Sequence, residues 1–130
     1  MKPSVLLADD DETFRDLSRE FLGPEFRVVA SVGDGQSLVD AAHAFGPDLI
    51  ITDISMPVLN GFQAIRQLKS VQPDARVIFL TAHGDLAFVA EARKINALGY
   101  VLKRSVASDL IPATREALEG RFFVSPAMLE

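Results

Sequence analysis

The stretch Asp48-Leu-Ile-Ile-Thr-Asp53-Ile-Ser-Met-Pro57-Val-Leu-Asn-Gly61 decides the fold. Leu49, Ile50 and Ile51 form a continuous apolar run of the kind found in strands buried on both faces. Asp53 follows just past its end, and Pro57, Asn60 and Gly61 are turn formers. A carboxylate therefore stands at the mouth of a buried strand, with a tight loop beyond it. Such a carboxylate is costly unless something pairs with it. The stretch asks for a cation.

Working outward, 130 residues suit one domain. A chain of this length buries roughly two-thirds of its unfolded surface on folding. Its 48% hydrophobic and 24% charged residues are ordinary for a globular protein. A net charge of −5 argues against nucleic acid as a direct ligand of this segment, because phosphate binding needs a basic patch. The absence of cysteine excludes disulfides, thiolate chemistry and zinc–sulfur sites, and fits a reducing, cytoplasmic setting. No apolar run approaches membrane-spanning length, and Met1-Lys-Pro-Ser4 leads into a strand, not a signal peptide.

Strands and helices alternate along the chain. Ser4–Ala8 reads as the first strand and ends in Asp9, Asp10 and Asp11. Phe14, Leu17, Ser18, Phe21 and Leu22 share one helical face, stopped by Gly23-Pro24. Residues 27–31 are a second strand; Gly33-Asp34-Gly35 makes a turn, and Leu38, Ala41, Ala42 and Phe45 mark a helix. After Leu49–Thr52 and its loop, Ala64, Ile65, Leu68 and Val71 mark the third helix. Val77–Leu80 is strand four, and residues 85–97 form a helix with Phe88, Ala92 and Ile95 inward. Tyr100–Leu102 is strand five. Val106, Leu110, Thr114, Ala117 and Leu118 share a face of the last helix. Pro112 is harmless there if Ser108 is the N-cap, and predicts a kink if Ser105 is.

This is a (βα)5 pattern. It implies right-handed crossovers, an open parallel α/β sheet, and ligands bound beyond the carboxyl ends of the strands. Asp9, Asp10, Asp53, Thr81 and Lys103 all fall at that edge. Clustered carboxylates repel one another, and a hard divalent cation such as magnesium relieves this, leaving room for waters and a phosphoryl oxygen. Lys103 and Thr81 would then donate to the remaining phosphoryl oxygens. Asp53 could be the nucleophile, because a carboxylate can accept a phosphoryl group as an acyl phosphate.

From Val5 to about Gly120 the chain resembles the receiver domain of bacterial two-component response regulators. The resemblance rests on Asp9-Asp10, on Asp53 within its loop motif, on Thr81-Ala82, and on Gly99-Tyr-Val-Leu-Lys103. It implies a flavodoxin-like three-layer sandwich with a five-stranded parallel sheet of order 2-1-3-4-5. It further implies that Asp53 is the phosphoacceptor and that Mg2+ (or Mn2+) is held by Asp10, Asp53 and the Ser55 carbonyl, with Asp9 acting partly through metal-bound water. Thr81 and the Ala82 amide would hold phosphoryl oxygens, and Lys103 would pair with the phosphorylated aspartate. Tyr100 matches the switch aromatic, which turns inward as Thr81 is drawn to the phosphoryl group and remodels the helix 4, strand 5 and helix 5 surface. Ser55 and His83, two residues beyond Asp53 and Thr81, would tune phosphoryl lifetime; a solvent-facing His83 is the alternative. The donor implied is a sensor histidine kinase.

Arg104 stands where many receivers carry proline after the lysine. A non-proline cis bond costs about 3–4 kcal/mol, so a trans bond and a different loop are expected. Lys103-Arg-Ser105 and the ending Glu119-Gly-Arg-Phe-Phe-Val-Ser-Pro126 look like the NarL/LuxR-type subfamily. Residues 1–121 are expected to form the receiver domain, and 122–130 a tail or the start of a linker to an absent helix-turn-helix effector. DNA would be contacted only through that effector, with a homodimer possible. The alternative is a single-domain regulator or phosphorelay carrier. Phe122 and Phe123 either pack back on the domain or meet an effector or second protomer. Asp11 reads as a helix N-cap and His43 as a surface residue. Arg93, Lys94, Lys103 and Arg104 form a candidate basic patch near the switch face. The chain is not expected to be an enzyme beyond its own phosphorylation and dephosphorylation. A haloacid dehalogenase-type phosphohydrolase would carry a second acid where Ser55 stands, and a degenerate scaffold would have an incomplete acidic site.

Overall fold

The computed structural model describes residues 1–129. Six parallel strands form one sheet in the order β2-β1-β3-β4-β5-β6. The strands are β1 (Ser4–Ala8), β2 (Arg27–Val32), β3 (Leu49–Thr52), β4 (Val77–Thr81), β5 (Gly99–Leu102) and β6 (Phe123–Val124). Between them run α1 (Glu12–Leu22), α2 (Gly35–Phe45), α3 (Gly61–Lys69), α4 (Leu86–Lys94) and α5 (Val106–Leu118). The flavodoxin-like receiver architecture and the order 2-1-3-4-5 are as expected; β6 extends the five-stranded sheet by one short strand.

Alternation along the strands divides the core. Leu6, Ile50, Phe79, Tyr100 and Leu102 join the apolar cluster containing residues of α2, α3 and α4. Val5, Leu7, Leu49, Ile51, Ile78, Leu80 and Val101 pack with residues of α1 and α5. Both faces are thus covered, which is why these strands read as unbroken apolar runs.

Caps set where the helices begin. Asp11, Asp34, Asn60 and Asp85 each accept a backbone N–H from the first turn, and Asn60 with Gln63 forms a capping box. Asp11 is therefore the N-cap that was expected. α4 is shorter than residues 85–97, since Asp85 lies outside it and Asn96 turns the chain with φ 60°. In α1, Ser18 and Leu22 are buried, but Leu17 is 39% exposed and off the expected face. α5 begins at Val106, so Pro112 lies well inside the helix. Its ring is on the exposed side. Lacking an N–H, it cannot bond the Ser108 carbonyl. Lys103–Ser105 forms a single 3-10 turn, and no peptide bond among the described residues is cis.

Residues 122–129 fold back on the domain. Phe123 and Val124 pair with Gly99 and Tyr100, and the Arg93 guanidinium lies 4.3 Å from the Phe122 ring centroid. Ser125 and Met128 are buried. The packed structure therefore runs past residue 121, where a tail or linker was expected to begin.

Candidate functional site

Register brings the acids together. Ala8 pairs with Thr52, so Asp9 and Asp53 leave adjacent strands side by side. Thr81 pairs with Leu102, which places Lys103 just past the end of β5. Lys103 Nζ lies 2.7 Å from Asp9 Oδ2 and 3.0 Å from Asp53 Oδ2. It is also 4.7 Å from the Phe14 ring centroid, a cation–π contact that leaves the ammonium facing the acids. The cation that Asp53 demanded is therefore Lys103.

The other carboxylate oxygens are held by backbone. Asp53 Oδ1 accepts the Ile54 N–H at 2.6 Å, and Asp9 Oδ1 accepts the Asp11 N–H at 2.9 Å. Arg15 donates to the Asp9 carbonyl and to Ser31 Oγ, fixing the turn after β1. The loop after β3 folds close: a Cβ at Gly61 would overlap the Asp53 carbonyl oxygen, and the Gly61 N–H donates to the Ile54 carbonyl. Gly61 is there because the α3 N-terminus has to touch the Asp53 peptide.

Burial raises the Asp9 pKa above its ordinary 3.8, and the hydrogen bond from Lys103 only partly opposes this. For Lys103, burial pulls the other way, but the bonds to Asp9 and Asp53 outweigh it and lift the pKa above 10.5. One oxygen from each of Asp9, Asp10 and Asp53 lies within 4.8 Å of the others. Around a magnesium ion with ~2.1 Å bonds, neighbouring oxygens stand about 3 Å apart, so the three carboxylates are close enough to converge on one ion with small side-chain shifts. Three carboxylates against one ammonium leave the cluster anionic, and Asp10 is exposed toward solvent. The donor set fits a hard divalent cation.

Around this pocket the remaining predicted residues spread out. Thr81 is fully buried, below the rim where a hydroxyl was expected; its Oγ1 accepts the His83 N–H at 3.3 Å. Ala82 is exposed beside a groove of about 270 Å³ lined also by Gly84, Leu102, Lys103 and Arg104. Ser55 and His83 meet across the mouth, with Oγ and Nε2 2.7 Å apart. The His83 ring also packs edge-on against Phe88, so it is not a free loop histidine. Tyr100 is fully buried and its hydroxyl donates to the His83 carbonyl at 2.7 Å. Burial, then the Asp53 charge, raises its pKa. The four-residue basic patch does not form: Lys103 turns into the acidic pocket and Arg93 covers Phe122. His43 is exposed in the last turn of α2 and meets Gln72.

Two residues near the site went unread. Asp109 is a buried acid on α5, and Ser125 a buried serine after β6. Asp109 gave one signal, an acid three residues after Val106 on the apolar face; a lone serine gives none.

A family model described as the response regulator receiver domain matches residues 5–115. The chain belongs to the response regulator receiver domain family. The transcriptional regulatory protein DegU of Brevibacillus brevis is 36% identical over 127 residues, covering 96% of this chain and 54% of DegU. The chemotaxis protein CheY of Halobacterium salinarum is 32% identical over 118 residues, 91% of this chain and 98% of CheY. A LuxR-family two-component response regulator from Aurantimonas superposes with a TM-score of 0.94 at 28% identity, over 99% of this chain and 94% of its own. The chain spans little more than half the length of DegU and of two further curated transcriptional regulators it matches. These relatives are regulators and not classical enzymes. Among the described residues no helix is long and apolar enough to cross a membrane.

Proposed function

We propose that this chain is a phosphoryl-accepting switch in which Asp53 takes a phosphoryl group from a sensor histidine kinase. The observation that carries this is Lys103 bridging Asp9 and Asp53 beside a third carboxylate at the strand ends. An Asp53 carboxylate oxygen attacks the phosphorus of a phosphohistidine. The new bond is the acyl phosphate O–P bond, the P–N bond breaks, and the imidazole leaves and takes up a proton. Asp9, Asp10 and Asp53, with the Ser55 carbonyl, would hold Mg2+ or Mn2+, and that cation supplies charge neutralisation for the transferring group. Lys103 exchanges its contact with the Asp53 carboxylate for a phosphoryl oxygen, and Thr81 Oγ and the Ala82 amide donate to the others. Ser55 and His83, joined across the mouth, screen the phosphoryl group from water and so lengthen its lifetime.

Tyr100 and Thr81 both touch His83, so a pull on Thr81 reaches the α4–β5–α5 surface through one loop. That surface is the output, through dimerisation or release of a helix-turn-helix effector that would follow residues 122–130; the receiver body is residues 1–121, with residues 122–129 packed onto it as a sixth strand and a final turn. Such a protein works in the cytoplasm and touches DNA only through its effector. A second reading, a regulator acting by protein contact alone, goes with the match to CheY, 98% of which aligns to this chain.

Incubation with acetyl phosphate and Mg2+, followed by intact mass, tests the proposal. One added phosphoryl group is expected, absent without metal and absent in Asp53→Asn. A gain that persists in Asp53→Asn would overturn it.

A further inference from the structure

The ladder between β5 and β6 stops at Tyr100 and Val124, with the Ser125 N–H donating to the Tyr100 carbonyl at 2.9 Å. The next β5 amide, that of Leu102, has no strand partner on this side. It donates instead to Ser125 Oγ at 3.0 Å. The serine hydroxyl has one hydrogen, and it goes to Asp109 Oδ2 at 2.7 Å. Asp109 Oδ1 accepts from Ser108 Oγ at 2.9 Å. Both Asp109 and Ser125 are buried, and no Lys, Arg or His among the described residues pairs with Asp109.

A buried carboxylate facing only hydroxyls is an expensive way to anchor a tail. Its placement gives it a use. The N–H it grips through Ser125 is that of Leu102, the residue before Lys103, whose ammonium reaches both Asp9 and Asp53.

We propose that Asp109 and Ser125 form a positioning clamp for Lys103, through which residues 122–129 set the rate at which Asp53 accepts a phosphoryl group. The proposal rests on the phosphoacceptor reading of Asp53. Lys103 acts only if its ammonium meets the developing phosphoryl charge, and displacement of about 1 Å can cost up to a hundredfold in rate. Ser125 holds the backbone from which that side chain starts. Coupling of this kind is reciprocal: a shift of Lys103 toward a phosphoryl oxygen loads the clamp, and tension on the C-terminal segment alters Lys103.

The test uses the full chain with saturating acetyl phosphate and Mg2+. Ser125→Ala leaves the Leu102 N–H and the Asp109 carboxylate short of a partner; phosphorylation slows about five- to tenfold, with the half-saturating Mg2+ concentration unchanged. Ser125→Thr keeps the hydroxyl and recovers to within about twofold of wild type. Met128→Ala removes buried apolar surface beyond the clamp and leaves the Ser125 bonds to Leu102 and Asp109 in place; it lowers Tm but leaves the rate within about twofold. In parallel, amine acylation mapped by peptide mass finds Lys103 protected in wild type and several-fold more reactive in Ser125→Ala. An unchanged phosphorylation rate in folded Ser125→Ala overturns the proposal, and so does an equal slowing in Met128→Ala. If wild type takes no phosphoryl group, the phosphoacceptor reading falls instead, and Lys103 labelling alone decides the clamp.

Discussion

Asp9 is buried with its pKa raised, burial being the principal cause, so its ionised form is held at a cost. A carboxyl raised in the folded state contributes stability below its unfolded pKa of about 3.8 and loses it as pH rises through the folded value. At neutral pH the metal-free protein therefore carries the penalty. Asp9→Asn removes it while keeping an oxygen for the Asp11 N–H. Metal-free Tm is expected to rise by about 2–8 °C per kcal/mol gained, with the gain shrinking as pH falls toward 4. Calorimetry in chelator at pH 4.5 and 7.5 checks this, and the same variant should bind Mg2+ at least about tenfold more weakly. Lys103 behaves oppositely in range: its raised pKa gives stability present below pH 10.5 and lost above the folded value. Asp9, Asp10, Asp53 and Lys103 were legible because a parallel sheet gathers strand ends, and each stands where an apolar run stops. The Ser55–His83 bond was not legible as a bond. Its partners are 28 residues apart, and only the closure of two loops makes them meet.

Elements with long apolar runs were read correctly, and their edges less well. The α4 boundary depends on Asp85 as a cap and on Asn96 with positive φ, two local choices that helical periodicity does not encode. β6 is two residues long, too short for any period, and Phe122 and Phe123 suited an interface as well as a core. Pro112 shows how a cap decides an outcome: with Ser105 at the helix start, the ring falls in the interior. Pro112→Ala should restore a hydrogen bond to the Ser108 carbonyl and stabilise the protein by about 1 kcal/mol or more, seen as a higher urea midpoint at constant m. The reverse holds at the start of α3. Gly61→Ala forces a methyl into the Asp53 carbonyl. It should cost on the order of 3 kcal/mol and, on the proposed role of Asp53, abolish phosphorylation from acetyl phosphate even where the protein stays folded, because the Asp53 peptide must move.

At the scale of the whole molecule, two apolar layers enclose the sheet, and residues 122–129 join both, Phe122, Val124 and Met128 one and Phe123 the other. Removing residues 122–130 uncovers the edge of β5 and the side of α5. Urea unfolding of the truncated chain should show a loss of about 2–4 kcal/mol, mostly from Met128 and the severed Ser125 bonds. A loss below about 0.5 kcal/mol would mean that the segment merely rests on the domain. Parallel pairing of β6 also fixes a direction of travel. The chain passes along the edge of the sheet toward the same rim that carries Asp9, Asp53 and Lys103, and it reaches Ser125 there. A fluorescent reporter attached at exposed position 126, the residue after Ser125, would start its tether at the rim that carries the acids, not at the opposite pole. A short tether there would keep a dye within range of the pocket, so any event at Asp9, Asp53 and Lys103 could be read optically from the C-terminal side of the domain.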